Sequence, residues 1–207
     1  TLSSNASGTG TLTIASPNTS TDRTLTLPDE TGTVVSTGST TVVTPTMLTQ
    51  PLTSATAQAS TSGTSIDFTG IPSWAKRITV LFNGVSQSGS SNILVQLGDS
   101  GGIETTSYAA SSVMAVAASA TEGTTFTTGF GLWTGANSWT FHGTMTIALV
   151  NSSTNLWVSS HTFGRADAAR VINGGGSKAL SDTLTQIRIT TATADTFDAG
   201  SINIMYE

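Results

Sequence analysis

Gly98-Asp99-Ser100-Gly101-Gly102 sets a serine between glycines, the pattern that frees a nucleophilic hydroxyl from its surroundings. Such a serine needs a base and an acid that orients the base. In the protease order His-Asp-Ser, the histidine precedes the serine in the chain. Here the two histidines, His142 and His161, both follow Ser100, and Ile103 stands where that motif carries a proline. A hydrolase elbow requires a parallel strand before the serine and a helix after it, and the surrounding residues carry strand rather than helix patterning. The string therefore reads as a tight turn after a strand ending at Leu97, with glycines at positive φ and Asp99 bonding its own backbone.

Paired carboxylates for sugar hydrolysis would have to come from few acids. Glu104 and Glu122 are the only internal glutamates besides Glu30, and Asp99, Asp167, Asp182 and Asp195 all lie in turn contexts. The histidines lack ligand spacing and no D-x-D-x-D loop occurs, so no metal or cofactor is expected. Gly174-Gly175-Gly176-Ser177-Lys178 resembles half a phosphate loop but lacks its leading glycine, and a flexible surface loop is the expectation. Trp133 and Trp139 flank Thr134-Gly135-Ala136-Asn137-Ser138. Two readings stand: exposed indoles beside Asn137 on which a sugar ring stacks, or, as the favoured one, a cross-strand aromatic pair that closes a hairpin. Trp133, Asn137 and Trp139 are the candidate ligand-binding residues, and no catalytic residue is assigned.

Composition narrows the classes further. Thr (41), Ser (29) and Gly (21) fill 91 of the 207 positions, while charged residues make up 9%, about a third of the usual share. Seven scattered Lys and Arg cannot supply the clustered positive charge that nucleic acid requires. No apolar run approaches the roughly 20 residues of a membrane span. Cys is absent, which removes disulfides and thiolate chemistry. A hydrophobic share of 37% argues against simple disorder.

The elements that must position these residues divide in two. All 13 aromatic residues lie at or after Phe68. Residues 1–55 alternate Thr with Leu, Ile or Val, as in Thr11-Leu12-Thr13-Ile14 and Thr24-Leu25-Thr26-Leu27, which is period-2 strand patterning. So few apolar side chains offset too little of the entropy of ordering about 50 residues, so this stretch predicts an intertwined stalk of several copies, three being the preferred number. A linker from about residue 44 carries Pro45 and Pro51, and Met47-Leu48 suits a short helical turn.

Residues 56–207 predict a head. Ile66/Phe68, Ile78/Val80/Phe82 (ended by an Asn83-Gly84 turn), Ile93/Val95/Leu97 and Phe126/Phe130/Leu132 read as strands. Trp139 to Leu149, Leu156 to Val158, Leu184 to Ile189 and Ile202 to Tyr206 complete about eight. Ala109 to Ala120 has some helical propensity. The fold class is all-β: a stalk followed by an antiparallel, jelly-roll-like β-sandwich. Candidate tip loops are 83–92, 98–112, 133–138 and 164–182.

The phrase Arg23-Thr24-Leu25-Thr26-Leu27-Pro28-Asp29-Glu30-Thr31-Gly32-Thr33-Val34-Val35 resembles a repeat of tail-fibre proteins of tailed bacteriophages. Gly63 to Ile78, with Ile71-Pro72-Ser73-Trp74-Ala75-Lys76-Arg77 at its centre, is similar to the opening of a β-sandwich domain of phage fibre and structural proteins, and Ile93 to Glu104 resembles its continuation. The resemblance implies a homotrimeric fibre of the virion, joined to other tail or baseplate proteins, whose head attaches to a host cell-surface glycan or outer-membrane protein. A capsid decoration or head-fibre role is the first alternative, and a polysaccharide-depolymerising spike using Glu104 or Glu122 the second. No catalytic residue carries over.

Overall fold

The computed structural model describes Ser20 and residues 52–116, 121–134 and 139–207. The chain divides into units of residues 1–42 and 43–207. The stalk strands and the Met47-Leu48 turn lie outside the described residues, as does Asn137.

All regular structure among the described residues is β. The strands are β1 (Thr53–Ser54), β2 (Gln58–Ala59), β3 (Ser65–Thr69), β4 (Arg77–Gln87), β5 (Ile93–Asp99), β6 (Gly102–Ile103) and β7 (Ala109–Val116). They continue with β8 (Glu122–Phe126), β9 (Phe130–Leu132), β10 (Phe141–Asn151), β11 (Leu156–Arg165), β12 (Arg170–Ala179), β13 (Gln186–Thr191) and β14 (Phe197–Tyr206). One antiparallel sheet runs β1-β14-β4-β10-β11-β12-β7-β8, with β2 also on β14; the other runs β3-β13-β5-β6, with β9 also on β5. Period-2 patterning points one face of each strand into a shared core. Ile78, Val80, Phe82, Met145, Ile147, Phe163 and Ile172 from the larger sheet pack there with Ile66, Val95, Leu97, Phe130, Ile187 and Ile189 from the smaller. The arrangement is sandwich-like.

Four local expectations change. Ala109 to Ala120 is strand over Ala109–Val116: Ala110, Ser112 and Met114 are buried while Ala109, Ser111, Val113 and Ala115 face out. That alternation satisfies a sheet position, and pairing on both sides overrides alanine's helical preference. Asn83-Gly84 does not end its strand. Gly84 takes φ +67° and Gly200 on β14 takes φ +93°, and the pairing of β4 with both β14 and β10 shifts register there, so β4 bulges at Gly84 opposite Gly200. Gly174-Gly175-Gly176-Ser177-Lys178 is no surface loop but the middle of β12, hydrogen-bonded between β11 and β7. A Cβ on Gly174 would run into the His161 ring, and one on Gly176 into Ala110. Finally, Phe126 and Phe130 fall on different strands of different sheets.

Register sends the connections to two ends. Gln87 is paired with Phe197, Phe141 with Arg165, Arg170 with Val116, and Ile93 with Leu132 and Thr191, so loops 88–92, 166–169 and 192–196 share one end, the upper one, with residues 133–134 and 139–140. Thr53, the first strand residue of the described head, pairs with Tyr206, which pairs with Ile78 at the lower end. The Gly98–Gly102 turn and loops 103–108 and 180–185 are also lower.

Candidate functional site

The upper end carries the densest group of aromatic and charged side chains. β9 ends at Leu132 and delivers Trp133, whose backbone N–H donates to Ser112 Oγ at 3.2 Å. Thr134 anchors the departing chain through its N–H to Asn92 Oδ1 (2.8 Å) and its hydroxyl to the Ser91 carbonyl (2.5 Å). Trp139 arrives just ahead of β10. The indole centroids of Trp133 and Trp139 lie 6.1 Å apart at 45°, and Trp139 meets Phe141 edge-on at 6.5 Å. The structure thus brings two of the three candidate binding residues together.

Two arginines complete the group. The β11–β12 hairpin begins at Arg165 and returns at Arg170, and both guanidinium groups approach Trp139, with Cζ at 3.6 Å and 5.3 Å from the ring centroid. Stacking of a cation on an indole is electrostatically favourable. Arg165 also grips Asp167 through Nε (2.9 Å) and its terminal nitrogen. That contact, with the field of Arg170, holds the Asp167 carboxyl below its ordinary range. Arg165 is 5% exposed in its side chain, whereas Arg170 keeps partial exposure and forms no salt bridge among the described residues. Composition gives no cue to these arginines. Their positions flanking Ala166 to Ala169 become meaningful only when the hairpin register places both beside Trp139.

The carboxylates are dispersed. Asp99 accepts from Ser181 Oγ at 2.6 Å and from Gly101 N–H at 2.7 Å, and these bonds, that of Ser181 first, lower its pKa. Ser100 is exposed on that turn at the lower end, whereas His142 sits at the upper end, where Nδ1 accepts from Gly84 N–H at 3.1 Å. Glu104 pairs with buried Lys178 at 2.5 Å and accepts from Ser181 N–H at 2.7 Å. Burial raises the Glu104 carboxyl, but these partners outweigh it and leave it below the ordinary value. Glu122 lies on β8 opposite Met114, toward the upper end, so the two glutamates do not share a site. No group of three or more His, Cys, Asp or Glu suited to a metal occurs among the described residues.

Sequence reading passes over one further pair. His161 Nε2 and Ser112 Oγ are 3.2 Å apart, a spacing that suits a nucleophile and its base. Ser112 is only 1% exposed, so no substrate reaches it. Burial lowers the His161 pKa to about 4.

No family model, curated protein or solved structure matches this chain.

Proposed function

We propose that this chain is a homotrimeric fibre protein of a phage virion, in which an intertwined N-terminal β stalk carries a jelly-roll-like head that attaches to the host bacterial surface. The head binds a glycan or outer-membrane component and catalyses no reaction on it. The observation that carries this reading is the placement of Trp133, Trp139, Arg165 and Arg170 at the end of the head opposite Thr53. Glu104 is committed to Lys178, which speaks against the depolymerase alternative.

The larger sheet supports self-association. On its central strands β10, β11, β12 and β7 the charged residues are Arg165, Arg170 and Lys178. The first two sit at the upper end and the third is buried. The outward face between them is Thr, Ser, Asn, Ala, Gly and Val, with Val113, Val158 and Val171 about two-fifths exposed at 43, 39 and 41%. A sister copy can cover such a face without desolvating a charge. The tail or baseplate of a virion is the assembly this form suits, and three heads on one stalk make weak single-site contacts sufficient by raising effective concentration.

Sedimentation velocity of the full chain together with labelling of bacterial cells by the fluorescent protein tests the reading. A trimer that decorates the cells of some strains is expected. A stable monomer defeats the trimer, and failure to label any strain across a broad panel defeats attachment.

A further inference from the structure

We infer that the upper-end cluster recognises an acidic saccharide, one bearing a carboxylate or phosphate, with Arg170 as its anion contact. This rests on the attachment reading above and names the ligand class for the same site.

The argument starts from how the charges are spent. Arg165 is stacked on one face of Trp139, closed onto Asp167, and nearly buried. Its charge is matched, and so is that of Asp167. Arg170 has no such partner, stands 5.3 Å from the same indole and retains exposure. Among the remaining acids of the upper end, Glu122 is exposed on β8 and forms no salt bridge with Arg170, and two are turned to other contacts. Asp195 Oδ2 accepts from Ser91 N–H at 2.9 Å, and Asp198 accepts from the Ser86 hydroxyl. The unmatched charge of the cluster is therefore the guanidinium of Arg170.

Neutral sugars need only an aromatic face and hydrogen bonds. Here one face of Trp139 is already covered by Arg165, so stacking on that indole alone is restricted and an anion contact carries more of the recognition. A guanidinium with an open fork binds carboxylate or phosphate by two parallel hydrogen bonds. Beside an indole, that fork suits a sugar ring that carries an anion. Arg165 acts as a positioning residue, holding the Trp139 ring that Arg170 flanks.

The test uses the full chain on bacterial cells that the wild-type protein labels, with three competitors: oligogalacturonate for carboxylate, glycerol-phosphate teichoic acid for phosphate, and maltooligosaccharide as the neutral control. At least one acidic competitor should displace the protein at concentrations where the neutral one does not. Arg170→Gln should weaken labelling about tenfold or more, as expected for loss of hydrogen bonds to a charged group, while Arg170→Lys should recover only part of it. Thermal melting of Arg170→Gln close to wild type shows that the head is intact. Labelling that resists both acidic competitors, or that is undiminished in Arg170→Gln, overturns the acidic-saccharide inference and leaves attachment standing. Absence of labelling by the wild type overturns both.

Discussion

The Arg165 guanidinium carbon lies 3.6 Å from the centroid of the Trp139 ring, while the same guanidinium grips Asp167. One side chain thereby ties the β11–β12 hairpin to the segment entering β10. Replacing Trp139 with Ala removes the stack and its contact with Phe141. The loss should be about 3 kcal/mol in chemical denaturation, at the low end for truncating a large aromatic because the residue is half-buried. Arg165→Lys should recover only a minor part of the Arg165→Ala deficit, since an ammonium lacks the planar fork.

His161 predicts an acid sensitivity. Its folded pKa is lowered to about 4 by burial, so the unfolded chain, near 6.5, binds the proton more readily. The stabilising contribution is complete above about pH 6.5 and is lost as pH falls toward 4, by about 3 kcal/mol in all. Denaturation midpoints across that range should show the slope in wild type and lose most of it in His161→Gln. Equal slopes in both would refute the assignment.

Lys178 and Glu104 are expected to behave as a buried pair. Lys178→Met alone leaves the Glu104 carboxylate without its cation and should cost about 1–3 kcal/mol, less than for a fully buried charge because Glu104 is partly exposed and keeps the Ser181 N–H. Adding Glu104→Gln should restore much of that loss, and a double-mutant cycle on unfolding free energies reads the coupling.

Gly174 is required by contact rather than by backbone conformation. Gly174→Ala drives a methyl into the His161 ring and the Ser111 carbonyl, an overpacking that should cost about 1–3 kcal/mol. Gly164 has open space around the same position, so Gly164→Ala should melt near the wild type.

Much of the head is legible in the chain because its strands are one-sided. Ile78, Val80 and Phe82 announce their buried face, as do Ile187 and Ile189. What misleads is composition without register. Ala109 to Val116 has the residues of a helix and the alternation of a strand, and only pairing with β12 and β8 decides between them. Gly174 to Gly176 reads as a loop because glycine marks loops in isolation. Its real cause, the His161 ring and Ala110 pressed against the β12 backbone, lies on other strands. The site divides in the same way. Trp133 and Trp139 stand out by spacing, whereas Arg165 and Arg170 join them through a hairpin register that no local pattern encodes.

The absence of cysteine permits a direct test of the proposed attachment through the upper end. Ala169→Cys at the upper end and Ser153→Cys at the lower are both exposed positions, and each can be capped with a bulky polyethylene glycol maleimide. Binding of the two capped proteins to cells that the wild type labels is the measurement. Attachment through the upper end predicts that the cap at residue 169 abolishes labelling while the cap at 153 leaves it intact. Blockade by the cap at 153, or undiminished labelling with the cap at 169, would contradict it.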